Sequence, residues 1–140
     1  MKTGMMTVVF AGLAATGGPS FAHHSASAFD LREPVVLQDA VVTEFLWINP
    51  HPLIKADYTD PQGNVQQWTM EMGSTVSVQL VGWTRTALLP GDVVTLYVWA
   101  ARTGAHVGRF NKVEFADGTV LRDSQLGADD GGRSDVGLRQ

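Results

Sequence analysis

Clusters of turn-forming residues divide the chain between Val35 and Leu121 into short runs. Asn49-Pro50-His51-Pro52, Asp60-Pro61-Gln62-Gly63-Asn64, Leu89-Pro90-Gly91-Asp92 and Asp117-Gly118 fall between stretches rich in β-branched and aromatic residues. Two prolines in four residues remove two backbone donors, so the first cluster must be a turn. The others carry Gly, Asn or Asp, which suit tight reversals. Segments of this length and composition read as strands.

The run from Val35 to Ile48 is too long for one flat strand and predicts a bulged or bent one. Leu53 to Thr59 and Val65 to Met72 follow. In the latter, Trp68, Met70 and Met72 alternate with Gln67, Thr69 and Glu71, which places them on opposite faces. Gly73-Ser74 then changes the period. Ser74 is a natural N-cap, and Gly82 ends a helix of about residues 74 to 82. Val93 to Trp99 and Arg109 to Ala116 read as further strands, with Thr119-Val120-Leu121 returning from the last turn. Three strands, a helix and two strands is the order of the OB fold, a five-stranded, partly open barrel. Another small barrel, or a sandwich with a lone helix, is the alternative. Trp68, Met70, Val94, Leu96 and Val113 are the expected core.

The ends of the chain differ from this middle. Lys2 is the only charge before Asp30, Met5 to Ala15 is apolar, and Thr16-Gly17-Gly18-Pro19 breaks any helix there. Ser20-Phe21-Ala22 carries small residues three and one positions before a cleavage point. Residues 1–22 therefore read as a secretory signal peptide, and the apolar run is too short for a comfortable membrane anchor. Residues 23–122 form the barrel domain. Residues 123–140 are Gly, Asp, Ser and Arg without an apolar period and read as a disordered tail.

Composition narrows the function. The 140 residues are 44% hydrophobic and 17% charged, with a net charge of −4 and no Cys. Thiol nucleophiles, Cys-based zinc sites and disulfides are excluded. The acidic balance argues against nucleic acid, which needs a basic groove beside its stacking aromatics. Cleavage after Ala22 would create a chain beginning His23-His24. A free α-amine beside imidazoles suits a nitrogen-preferring, tetragonal ion such as Cu(II). His51 can supply a further nitrogen, and His106, in a Gly-containing loop, is a weaker candidate. A solvated chain end is the plainer account of His23 and His24.

Other chemistry is poorly supported. Glu44, Asp57, Glu71 and Glu114 lie within strands, where a solvated face explains them. Gly104-Ala105-His106-Val107-Gly108 lacks the Lys and helix of a phosphate loop. Trp47 and Trp83 flank turns, so one of them can line a binding groove.

The order of short motifs has a family likeness. Ala22-His23-His24-Ser25 and Phe29-Asp30 are followed by Trp47-Ile48-Asn49-Pro50-His51, by Trp68 to Ser74, by Gly82-Trp83-Thr84-Arg85, and by Pro90-Gly91-Asp92. This pattern, from about Ala22 to Leu121, resembles a family of small secreted bacterial proteins of unknown function. The resemblance implies export and a β-rich domain, and no established activity, and it singles out His23, His24, His51 and Arg85 as site candidates because they fall in its motifs. Three readings follow. The first is an exported, non-enzymatic binding or accessory domain in the periplasm, its partner a small ligand or another periplasmic protein, with no transmembrane segment after leader removal. The second is a copper-binding protein. The third is a small hydrolase or other enzyme.

Overall fold

A computed structural model of the chain describes residues 26–123. Residues 1–25, which include the expected signal peptide and His23 and His24, and residues 124–140 lie outside the described part. A 3₁₀ turn (Ala26–Ala28) leads into β1 (Val35–Leu46), β2 (Leu53–Thr59), β3 (Val65–Glu71), α1 (Thr75–Leu80), β4 (Val93–Ala100), β5 (Val107–Phe115) and β6 (Val120–Arg122). The sheet order is β3-β2-β1-β4-β5-β6, and β3 also pairs with β5 in parallel. That last pairing joins Thr69–Glu71 to Val107–Arg109 and closes five strands into a barrel. The short helix α1 lies between the third and fourth strands, as the sequence order predicts. The three-residue β6 is an added edge that pairs on β5.

β1 is bent because it serves two neighbours. Its first half pairs with β4 and its second half with β2. The register slips between Leu37 and Ala40, where Asp39 adopts φ 55°, and again between Val42 and Glu44. Aspartate tolerates this left-handed conformation better than most residues. The first slip turns both Leu37 and Ala40 inward although they are three residues apart. A flat strand with period two cannot do this.

The core comprises Leu37, Val42, Ile54, Met70, Leu96, Val98, Phe110 and Val113, with Trp68 and Val94 at its margin. All five expected core residues are buried. The helix closes one end. The Ser74 hydroxyl accepts the Ser77 N–H at 3.1 Å. Gly82 at φ 100° and the Trp83 N–H bond to the Val78 carbonyl terminate it. Val78 is the residue it buries, while Val76 and Leu80 are 66% and 74% exposed.

Asp123, assigned from composition to the tail, is only 1% exposed and belongs to the fold. Its carboxylate accepts the Gly73 N–H at 2.6 Å and pairs with Arg109 at 3.2 Å. A Cβ on residue 73 would lie 2.8 Å from the Ser77 hydroxyl and 3.3 Å from this carboxylate, so glycine leaves the room the contact needs.

Candidate functional site

Outside the barrel, the N-terminal segment is laced to the turn between β4 and β5. Phe29 forms an antiparallel bridge with Ala101, and the Asp30 N–H donates to the Ala100 carbonyl. Arg102 returns two bonds, from its backbone N–H to the Ala28 carbonyl and from Nε to the Phe29 carbonyl. This lacing raises a wall beside the outward faces of β2, β3 and β5. Between wall and barrel lies a groove of about 270 Å³. Ala28, Phe29, Leu53, Ala101, Val107 and Gly108 give it an apolar surface, with Thr69, Thr103 and Glu71 as its polar groups.

Alternation in β3 explains the mixture. Trp68 and Met70 point inward, so Thr69 and Glu71 must point out. Glu71 pairs in register with Leu53 on β2 and with Arg109 on β5. The Arg109 guanidinium reaches Asp123, and the imidazole of His51 lies 4.0 Å from the Glu71 carboxylate. His51 itself is held in place. Its Nδ1 lies 3.0 Å from the Met72 carbonyl, which can only accept, so Nδ1 carries the hydrogen. The turn around it is docked on the helix start, through Thr75 N–H to the Pro50 carbonyl and Thr75 Oγ1 to Asn49 Oδ1.

The other residues singled out in the sequence lie elsewhere. Trp83 is 2% exposed and sits in the core, where it meets Phe45 and Phe110 and donates to the Arg122 carbonyl at 2.8 Å. It flanks a turn, but that turn is the helix terminus and swings the ring inward. Trp47 is half-buried, edge-on to Phe45, and Arg85 lies over its ring at 5.8 Å. His106 is exposed yet stacks on Trp68 at 5.2 Å, and its carbonyl accepts the Thr69 N–H. It is therefore anchored more firmly than a loose loop would be. Among the described residues no three His, Asp or Glu side chains converge as a metal cluster.

The carboxylates also separate. Glu44 is paired with Lys55 at 2.7 Å. Lys112 donates to Glu114 and holds its carboxyl below the usual range, while burial and then Glu114 push the Tyr97 hydroxyl up. Tyr97 donates to Glu114 and Lys112 lies over its ring at 4.1 Å, so this outer cluster is satisfied within itself. Glu71 alone among the four lines the groove. The groove was not legible as a unit, because its walls come from four separated segments. The outward position of Glu71 opposite Trp68 was the one signal of it.

No curated protein and no solved structure matches the chain. The model of a family described only as a family of unknown function, DUF6152, matches residues 11–110. That span is most of the sequence, and the chain belongs to the DUF6152 family.

Proposed function

We propose that the protein is an exported, non-enzymatic binding or accessory domain whose ligand occupies the groove beside Glu71. Export rests on the charge-poor, apolar residues 1–22 and their small-residue end. The observation that carries the binding reading is the position of the groove. It lies on the β2–β3 face beside the β4–β5 turn, where OB barrels commonly seat ligands. Its size is slightly below that of drug-sized pockets and suits a fragment-sized molecule. An apolar wall with a single carboxylate favours a small, largely apolar ligand with a cationic or hydrogen-bond-donating head.

Amide chemical-shift mapping with benzylamine, and with phenylacetate as the opposite charge, tests this reading. Shifts centred on Thr69, Glu71 and Val107 that favour the amine are expected. Shifts centred on Trp47 and Arg85, or equal response to both probes, would overturn it.

Copper binding through His23 and His24 is the second reading. One observation favours it: the segment that follows these residues forms the groove wall, so the chain enters the fold beside Glu71 and His51. Copper retained by exported protein after dialysis against a weak chelator is its test.

A further inference from the structure

The polar groups of the groove stand apart from one another. Glu71 and Thr69 lie two residues apart on the outward face of β3, about 7 Å along the strand. An apolar residue sits beside each, Leu53 as the register partner of Glu71 and Val107 as that of Thr69. Phe29 adds an aromatic ring to the same lining. The two ends differ in charge. At one is the Glu71 carboxylate, whose register partner on β5, Arg109, sends its guanidinium to Asp123. At the other is the neutral Thr69 hydroxyl. The backbone under it is fixed, since the Thr69 N–H donates to the His106 carbonyl at 3.1 Å and Thr69 pairs with Lys55 on β2. The hydroxyl itself has no hydrogen-bond partner among the described residues, and it can both donate and accept. Thr103, in the β4–β5 turn, already accepts the Ala105 N–H at 3.4 Å.

We propose that the groove selects arylalkylamines that carry a hydroxyl on the ring opposite the amine arm, with Glu71 taking the ammonium and the Thr69 hydroxyl taking the far oxygen. This deepens the binding reading given above and rests on it. A charged head on the carboxylate and an apolar body on Leu53, Val107 and Phe29 account for affinity. The far polar group accounts for choice. It must be neutral, because among the described residues no Lys, Arg or His lines the groove and the chain carries a net charge of −4. A six-membered ring with a two-carbon amine arm holds its two ends at a spacing comparable to that of the two side chains. Thr69 is then a specificity-determining residue, and the sheet holds it in place.

The test is a chemical-shift titration of the protein with tyramine and with phenethylamine, which lacks only the hydroxyl. Tyramine should bind about 5-fold more tightly, the worth of one hydrogen bond at a half-buried group. Thr69→Val keeps the shape and the branch at Cβ and removes the hydroxyl, so the preference should vanish while phenethylamine binds as it does to the parent. Thr69→Ser should keep the preference. Retained phenethylamine binding also shows that each variant is folded. Equal binding of the two amines by the parent overturns the selection and leaves the groove reading standing. A tyramine preference that survives in Thr69→Val overturns the role of Thr69. Binding of neither amine overturns both the selection and the groove reading.

Discussion

The two sides of β3 were built for different ends. At its C-terminal exit, Gly73, Asp123, Arg109 and the capped helix form a sealed corner in which a buried carboxylate meets both a backbone N–H and a guanidinium. A few ångströms of chain earlier, Thr69 and Glu71 look out on a groove with apolar walls. The first region spends its polar groups on each other, as burial demands. The second leaves a carboxylate turned toward the groove, 4.0 Å from the His51 imidazole. Polar groups that the fold consumes explain architecture. Polar groups that the fold positions without consuming them mark where a ligand can be met.

Substitution should separate the regions sharply. The largest effect is expected for Asp123→Ala, which strands the Gly73 N–H and removes a partner of Arg109. Urea unfolding should show a loss of about 3 kcal/mol, with part of it restored in Asp123→Asn, which keeps an acceptor. A loss under about 1 kcal/mol would mean that the corner is not a sealed one. Ser74→Ala comes next. It removes the acceptor for the Ser77 N–H and should cost about 1 kcal/mol by the same measurement. Glu71→Gln should be nearly silent in stability, within about 0.5 kcal/mol, because the groove does not hold the fold together. A large loss there would erase the distinction between the two regions.

Local chemistry explains what could be read in advance. Asp60 accepts from the N–H groups of Gln62 and Asn64, Asp92 from Leu89, and Asp117 from Thr119, each within four residues. Such turns announce themselves in the sequence, and with them the strands. The bend in β1 was legible from its length, and the cap and stop of α1 from Ser74 and Gly82. Distance in the chain hid the rest. Asp123 looks like the start of a polar tail because its partner, Gly73, lies 50 residues away. Trp83 looks like a surface aromatic until the helix terminus turns it onto Phe110. Phe29 stands alone before the first strand, and nothing nearby reveals that it will pair with Ala101.

The 50-residue reach of Asp123 also has a kinetic meaning. Chains are made from the N-terminus, and a contact cannot form before its later member has emerged. Local turns and hairpins can assemble early, since little chain entropy is lost in closing them. The bond to Gly73 and the pairing with Arg109 must wait for Asp123. Until then the end of the barrel beneath α1 lacks its anion, and the Gly73 amide has no partner there. A nascent chain truncated just before Asp123 would therefore hold most of its strands and still be unlocked. The lock at this end of the barrel is therefore set only after β1 to β6 have all been made.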